Sequence, residues 1–278
     1  QCAYRPFDFR FILWHPLMVD WPRRELAAAL EIPNNICLIA RRQSPANLDY
    51  HYFWSTTEIP IDGLLRNDNR GNETCFPLYT ATAHSRSCNV NEKFIHHAQQ
   101  TWKSNDVEQE FLFHVIYAVF HCSQYRTLFK HDLPEQFPRF FFPLKKSLAT
   151  QLAIQGFKLR QLHATEQNQS HLPEPHPPDD WSKPRFSQGK LSFSKSVSRS
   201  LKTTTWAFQV GSHRVLEKYT KHRFKDEYFN GLVSDCDRMI RKIENHQEIV
   251  QQLDRIIESQ GGFLEAFDFG RRTYDHSA

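Results

Sequence analysis

The sequence predicts an α+β fold, in which small sheet-containing lobes pack on helices and a long coiled-coil-like helix lies near the C-terminus. Three observations support this prediction. Short apolar and aromatic runs of strand length recur in the first third of the chain. An apolar helical stretch covers about 106–121, and a heptad pattern extends over residues 229–257. The 278 residues are 40% hydrophobic, which is enough for a substantial core.

The N-terminal region is predicted to contain a short extended segment, then one helix, and then a first strand. The helix is predicted near the end of residues 1–30 from "RRELAAALE" at residues 23–31, a run of strong helix formers. A turn at residues 33–35 leads into the short apolar run "ICLIA" at residues 36–40, which suits a buried strand. This strand is followed by three polar residues, Arg41, Arg42 and Gln43.

Two further strands and a polar loop follow. Aromatic residues favour a strand over "DYHYFWS" at residues 49–55, and another short strand is predicted over "CFPLYTAT" at residues 75–82. Residues 62–74 between them are polar and loop-like, and they include Arg66 and Arg70. We therefore expect a small sheet with a cationic loop in this region.

Helices are predicted for the middle of the chain. Asn105 and Glu108 have the spacing of a capping box, and the helix that follows them is apolar on nearly all faces. A helix with no polar face should lie centrally in the fold. A short helix is predicted at residues 125–130, and a longer one at residues 144–163.

A proline-rich segment divides the chain. Residues 168–180, "NQSHLPEPHPPDD", carry four prolines and are predicted to form a surface connection with partial polyproline II structure. On this basis, residues 1–167 form an N-terminal lobe. Residues 181–278 form a basic lobe that includes the long C-terminal helix.

The charge of the chain changes abruptly after this connection. Residues 181–225 contain eleven Lys or Arg residues and a single acid, Glu217. Apolar residues partly alternate with polar ones here and in "WAFQV" at residues 206–210, so we predict a sheet with a basic face. Interleaved Trp, Phe, Ser and Thr favour a phosphate-binding surface over an ordinary solvated face. The candidates for phosphate contacts are Lys183, Arg185, Lys190, Lys195, Arg199 and Lys202.

The long C-terminal helix has the clearest periodicity in the sequence. Apolar residues recur every seven positions at Phe229, Cys236, Ile243, Val250 and Ile257. The other seam position is taken by Leu232, Met239, His246 and Leu253. This spacing predicts a helix whose seam packs on other helices of the chain, with His246 as a tolerated or hydrogen-bonded core residue rather than a ligand. Gly261 and Gly262 are predicted to end it.

The sequence contains no motif that we assign to catalysis, to a cofactor or to a metal. The six cysteines form no C-x-x-C pair, and we expect reduced thiols in a cytoplasmic protein. "GKLS" at Gly189 lacks the glycine spacing of a phosphate-binding loop. No apolar window is long enough to span a membrane. The chain begins with Gln1 rather than Met, so we expect a part of a longer polypeptide.

Five ordered blocks resemble the C-terminal specificity domain of type ISP restriction–modification enzymes and related adenine-methyltransferase restriction proteins. The blocks, in chain order, are "YRPFDFRFILWHPLMVDWPRREL" at residues 4–26, "ARRQS" at 40–44, "CFPLY" at 75–79, "YAVFHCSQYR" with "FPRFFFP" at 117–143, and "WAFQVGSHRVLEKYTKHR" at 206–223. In the last block Ser212 and His213 replace the more usual Gly and Tyr, and Tyr219 replaces Trp.

This resemblance implies a target recognition domain that selects the duplex DNA sequence for a larger enzyme. It implies that the nuclease, the ATP-driven motor and the adenine methyltransferase lie in other domains of the parent polypeptide. S-adenosylmethionine, ATP and magnesium would then serve those domains and not this chain. The methyltransferase domain is the implied protein partner, and this chain itself is predicted to be non-catalytic.

Base readout in a DNA groove needs Arg, Lys, Asn or Gln side chains. Our candidates are Arg41, Arg42 and Gln43 first, and then Arg66 and Arg70. Three alternatives remain at this point. A structured-RNA binder would show exposed aromatic platforms on a sheet face, a stand-alone phosphodiesterase would depend on a divalent metal, and a protein-interaction module would use the heptad helix to bind a partner.

Overall fold

The computed structural model shows an α+β fold that is assembled from helices and several small sheets. It describes residues 1–15, 17–19, 23–43, 52–66, 73–81, 86–164, 180–225 and 231–269. The helices in these ranges are α1 (Arg24–Leu30), α2 (Glu92–Trp102), α3 (Gln109–His121), α4 (Ser123–Leu128), α5 (Lys146–Ala164), α6 (Thr203–Trp206), α7 (Val215–Lys225), α8 (Leu232–Glu258) and α9 (Phe263–Ala266).

The strands are short. They are β1 (Cys2–Arg5), β2 (Asp8–Arg10), β3 (Cys37–Ala40), β4 (Trp54–Thr56), β5 (Ile59–Pro60), β6 (Thr74–Pro77), β7 (Tyr79–Ala81), β8 (Arg86–Cys88), β9 (Arg185–Ser187), β10 (Lys190–Ser192), β11 (Ser198–Ser200), β12 (Gln209–Val210) and β13 (His213–Arg214). Within the described residues, three sheets have three strands each, in the orders β2-β1-β5, β4-β3-β6 and β11-β10-β9. The pairs β7-β8 and β12-β13 form two-stranded sheets. All neighbours are antiparallel except β1 and β5.

Two hydrophobic clusters form the core, and α8 passes through both. The first cluster is built on α3, with α2, α5 and the C-terminal part of α8, where Leu253 and Ile257 are fully buried. The second cluster joins Trp54 and Leu64 to Leu191 and to the N-terminal part of α8. A 27-residue helix is about 40 Å long, so it can reach across both clusters.

The second cluster therefore contains residues from both sides of the predicted proline-rich connection. Most of that connection, residues 165–179, lies outside the described residues. The division of the chain into residues 1–167 and 181–278 stays a prediction.

Several predicted elements agree with the structure and others differ in extent. The strand predicted over residues 49–55 is β4, Trp54–Thr56, and residues 49–51 lie outside the described residues. The strand at residues 36–40 and the helix at residues 144–163 are confirmed as β3 and α5. The predicted run at residues 75–82 is two strands, β6 and β7, which pair in different sheets. "WAFQV" is strand only at β12, because Trp206 ends α6.

The predicted capping box is wrong. Helix α3 begins at Gln109, its N-cap residue is Glu108, and no side chain caps it. A side-chain cap is present instead at α2, an element that we did not predict. Asn91 accepts a hydrogen bond there from the backbone N–H of Lys93 at 2.9 Å.

The heptad pattern predicted the buried face of α8 correctly. Its buried residues are Leu232, Cys236, Met239, Ile240, Lys242, Ile243, His246, Val250, Leu253 and Ile257. The seam packs on other helices of the same chain, as predicted, and these are chiefly α5 and α7. Phe229 lies outside the described residues. Gly261 and Gly262 follow the helix with φ angles of 90° and 89°, a conformation that favours glycine.

The cysteines are free thiols, of which Cys2, Cys37, Cys122 and Cys236 are buried. In the part of the chain that the structure describes, we find no helix with the length and apolarity of a membrane span.

Candidate nucleic-acid interface

The sheet β4-β3-β6 brings two of the predicted readout segments to the same end. In its antiparallel register Ile39 lies opposite Trp54, and Ala40 lies opposite Thr74. The chain therefore leaves β3 and enters β6 at one edge of the sheet. Residues 41–43 follow β3 there, and Glu73, which immediately precedes β6, binds the turn that carries Arg66.

Glu73 holds a tight turn at residues 63–66. Its carboxylate accepts hydrogen bonds from the backbone N–H groups of Gly63 at 3.3 Å, of Leu65 at 3.0 Å and of Arg66 at 3.0 Å. Gly63 has a φ of 81°, and a Cβ atom there would lie 2.6 Å from the carbonyl oxygen of Arg66. A buried carboxylate and a glycine thus determine the position of the backbone that carries Arg66.

The structure gives the three residues after β3 different surroundings. Arg41 is buried, and its Nη1 lies 4.0 Å from Oε1 of Glu73. Its Nε donates to the carbonyl oxygen of Gln43 at 3.3 Å. Burial lowers the pKa of Arg41, and the nearby charge of Arg66 lowers it further. Arg42 and Gln43 are exposed.

Arg66 is half-buried, and Arg70 lies outside the described residues. Of the five base-readout candidates, the structure therefore brings Arg41, Arg42, Gln43 and Arg66 together at one sheet edge. Arg41 supports the edge from inside, whereas Arg42 and Gln43 face solvent.

The hairpin β12-β13 packs against the same turn from the other side. The backbone N–H of Ser212 donates to the carbonyl oxygen of Leu65 at 2.7 Å, and Nε2 of His213 donates to that of Gly63 at 2.9 Å. A Cβ atom on Gly211 would lie 1.8 Å from the Leu65 oxygen. Only glycine permits this approach, so the basic segment and the turn are fitted to each other.

The sheet β11-β10-β9 has one face toward the core and one toward solvent. Residues directly opposite each other in antiparallel strands share a face. Leu191 lies opposite Phe186 and Arg199, and it is fully buried, so this set faces inward. The outward set consists of Arg185, Ser187, Lys190, Ser192, Ser198 and Ser200. Cations and hydroxyls are the side chains that contact phosphate oxygens in protein–DNA complexes.

Arg199 is on the inward side of this sheet and is paired with α8. Its Nε and Nη2 donate to the two carboxylate oxygens of Asp237 at 2.8 and 3.0 Å. This two-point geometry is typical of a strong arginine–carboxylate pair. It ties the basic sheet to the long helix, a role that the linear sequence did not indicate.

The other predicted phosphate contacts are exposed. Lys183 and Arg185 lie at the start of the basic sheet, Lys195 lies in the turn between β10 and β11, and Lys202 precedes α6. The backbone N–H of Lys195 donates to Asp180 at 2.7 Å, which orders that turn. The structure thus presents five predicted cations to solvent: Lys183, Arg185, Lys190, Lys195 and Lys202.

The histidines of α3, α5 and α8 form a buried polar group in the core. Tyr117 Oη lies 2.5 Å from Nδ1 of His163, and Nε2 of His163 lies 2.8 Å from Nδ1 of His246. Burial lowers the pKa of His163 well below its usual value and that of His246 to about 3. The prediction of a hydrogen-bonded core role for His246 is confirmed. Within the described ranges, no group of three or more His, Cys, Asp or Glu side chains could hold a metal ion.

Comparison with known proteins gives one family and several solved structures. The family model of the Type ISP C-terminal specificity domain matches residues 1–252. No curated protein matches the chain.

Three structures are similar over 91% of this chain. The ATP-dependent Type ISP restriction-modification enzyme LlaBIII bound to DNA has a TM-score of 0.69 and 13% identity. The DrdV–DNA complex has a TM-score of 0.69 and 19% identity. A nuclease-deletion mutant of the Type ISP enzyme LlaGI, in complex with a DNA substrate mimic, has a TM-score of 0.64 and 16% identity. This chain spans only 18%, 28% and 24% of their respective lengths.

Proposed function

Because this chain belongs to the Type ISP C-terminal specificity domain family, we propose that it recognises a duplex DNA sequence on behalf of a larger restriction–modification enzyme. The observation that carries the proposal is that residues 41–43 and the 63–66 turn meet at one edge of the sheet β4-β3-β6, beside the hairpin β12-β13 of the basic segment, which packs against the turn. The similar solved structures are described as DNA complexes, which supports the same partner.

We assign different tasks to the two surfaces. The outward face of β11-β10-β9 and its flanking lysines bind backbone phosphates, because this face combines cations with serine hydroxyls. The edge that carries Arg42, Gln43 and Arg66 reads bases, since Gln pairs in a two-point manner with adenine and Arg with guanine. Arg41 and Arg70 remain candidates for readout, although Arg41 would need to leave Glu73 to reach a base.

The basic sheet favours duplex DNA over the structured-RNA alternative. An RNA-binding sheet of the stacking type exposes aromatic rings on its surface. Here Phe186 faces inward and stacks on Trp206, with ring centroids 4.9 Å apart. The outward positions hold only Arg, Lys and Ser.

The methyltransferase domain of the parent polypeptide is the proposed protein partner. An apolar patch follows β2, in which Phe11 is 85%, Leu13 72%, Leu17 87% and Met18 68% exposed. So many large apolar side chains within eight positions are typical of a surface that another domain covers. S-adenosylmethionine, ATP and magnesium would be bound by other domains of the parent enzyme.

A selection experiment tests the proposed function. The chain, alone and joined to the methyltransferase domain of its parent, is used to enrich duplexes from a randomised pool. We expect one sequence to be enriched, and Gln43→Ala and Arg66→Ala to cost about 1–3 kcal/mol on that sequence only. Equal recovery of all duplexes by the joined protein would contradict sequence recognition.

A second experiment tests the partner. Phe11→Ser and Leu17→Ser should weaken binding of a separately supplied methyltransferase domain while leaving the melting temperature unchanged, because both side chains are exposed in this chain. The matched control is Leu264→Ser, which alters another exposed leucine, on α9. Unchanged association with both patch variants would show that the patch does not form the contact.

A further inference from the structure

A pair of cations lies beside the 63–66 turn, apart from the residues assigned above. Arg5 is at the end of β1, and Lys218 is on α7. Both line a small cavity together with Asp8, His213 and His222. The cavity volume is about 10 Å³, which admits one group of the size of a water molecule but no nucleobase.

Lys218 is held close to the turn by a chain of hydrogen bonds. Its Nζ lies 3.3 Å from the carbonyl oxygen of Ser212 and 3.2 Å from Nδ1 of His213. The other ring nitrogen of His213 donates to Gly63. Burial lowers the pKa of His213 to about 4, so a neutral ring can donate through Nε2 and accept through Nδ1. The ammonium group is therefore positioned next to the proposed base-reading edge.

The carboxylates near this pair also interact with other cations, and the charge of Arg5 itself acts on Asp8. Asp8 lies 3.3 Å from Nη2 of Arg10 and 3.6 Å from Nη2 of Arg223. It lines the cavity and would repel an anion, but the two arginines oppose its charge. A second carboxylate near Lys218, that of Glu217, pairs with Arg214 at 3.4 Å.

Within the described residues, Arg5 and Lys218 form no ion pair with a carboxylate. Nη2 of Arg5 donates to Tyr4 Oη at 3.4 Å, and its Nη1 is buried without a hydrogen-bond partner. Burial lowers the pKa of Lys218, and the charge of Arg5 lowers it further. Two partly buried cations that repel each other are stabilised by an anion between them.

We infer that Arg5 and Lys218 together bind one phosphodiester group of duplex DNA next to the 63–66 turn. The inference rests on the proposed function and adds a contact to it. Arginine suits phosphate because its planar group can donate two parallel hydrogen bonds. Only one phosphate oxygen enters the cavity, while the rest of the group stays at its mouth. Arg214, at the end of β13, and Lys221, on α7, are exposed nearby and extend the cationic path.

Salt-dependent binding of a mixed-sequence duplex to the full chain tests this site. The measured quantity is the slope of log affinity against log salt concentration. Because Arg5 and Lys218 share one phosphate, Lys218→Gln and Arg5→Gln should each reduce its magnitude by at most about 0.9, the value for one phosphate contact. Lys218→Arg keeps the charge and should keep the slope. Lys93→Gln removes an exposed lysine from α2, which packs in the first cluster, and serves as the matched control for net charge.

The possible results separate this inference from the proposed function. If the wild type binds duplex DNA and Lys218→Gln shows the same salt dependence as Lys93→Gln, the phosphate site alone is overturned. Failure of the wild type to bind any duplex would overturn both. If Arg5→Gln has a lower melting temperature than the wild type, the comparison of Lys218→Gln with Lys218→Arg decides whether the phosphate site exists. Inorganic phosphate that stabilises the wild type but not Lys218→Gln, with unchanged duplex slopes, would indicate a free-anion site and contradict the DNA contact.

Discussion

Arg41, Arg42 and Gln43 are consecutive in the chain, yet only the last two are exposed. Arg41 turns inward because Glu73, more than thirty positions later in the chain, offers a buried carboxylate. The same carboxylate accepts hydrogen bonds from three backbone N–H groups of the 63–66 turn. At the scale of single residues, one acid therefore organises both segments of the proposed readout edge.

Replacement of Glu73 should destabilise the fold. Glu73→Ala leaves three backbone donors and the buried Arg41 without their carboxylate, so we expect a loss of about 3 kcal/mol in the free energy of unfolding. Urea denaturation measures it. Glu135→Ala, which removes an exposed acid, should change stability by less than about 0.5 kcal/mol. Equal stability of the two variants would mean that Glu73 does not support the turn.

Lys190 and Arg199 were predicted to have the same role, but the fold separates them. Lys190→Ala should reduce the magnitude of the slope of log DNA affinity against log salt concentration by about 0.9, because one phosphate contact is lost. It should leave the free energy of unfolding unchanged, because the Lys190 side chain is exposed. Arg199→Ala should lower stability by about 1 kcal/mol, because it breaks the partly exposed pair with Asp237. Binding titrations over a salt series, together with urea denaturation, distinguish the two effects. A slope change for Arg199→Ala without loss of stability would support a direct phosphate contact by Arg199.

At the scale of elements, α8 joins the two hydrophobic clusters. Its N-terminal half packs with the basic segment, and its C-terminal half belongs to the cluster that also contains α3 and α5. Periodicity in the sequence predicted the buried face of this helix, because burial of one helical face imposes a repeat of three and four residues. The partner helices follow from long-range packing, which the repeat does not specify.

Ile243→Asp tests whether the α8 seam is part of the core. Ile243 is fully buried, so a carboxylate there should cost more than about 4 kcal/mol and unfold the chain. Circular dichroism measures the loss of helix, and Asn245→Asp provides a control at an exposed position of the same helix. Analytical sedimentation of the wild type and the variant tests the alternative, in which the seam forms a dimer interface. A wild-type dimer that Ile243→Asp converts into a folded monomer would mean that the seam binds a second copy.

At the scale of the whole molecule, buried histidines link three helices. His121, His163 and His246 belong to α3, α5 and α8, and His163 also stacks on Trp54 of β4 with ring centroids 3.8 Å apart. Burial lowers the pKa of all three, with His246 at about 3. The folded state therefore keeps these rings neutral at pH values where the unfolded chain binds protons.

Stability should consequently fall in mild acid. The stabilising contribution of the neutral rings is fully present above the unfolded pKa of about 6.5 and is lost as the pH falls below it. We expect about 1.4 kcal/mol less stability per buried histidine at about pH 5.5 than at about pH 7.5. Urea denaturation at both values measures the difference. His131→Asn, at an exposed position, should leave it unchanged, whereas His163→Gln should reduce it. A difference near zero in the wild type would contradict neutral buried rings.

The sequence by itself determined the local features of this protein. A continuous apolar stretch predicted α3, the heptad repeat predicted α8, the run "ICLIA" predicted β3, and the charge count identified the basic segment. Asn91 before α2 is a cap signal that could also have been found from the sequence. These features depend on residues that are close together in the chain, so a linear pattern contains them.

Only the tertiary structure decided which side chains meet. The pairs Arg41 with Glu73, Arg199 with Asp237 and Gly211 with Leu65 join residues that are far apart in the chain. No local pattern encodes such a pair, because strand register and helix packing bring its members together. The orientation of each cation, inward to a carboxylate or outward to solvent, follows from that packing. This is why the sequence could identify the basic segment but could not separate its structural arginine from its exposed lysines.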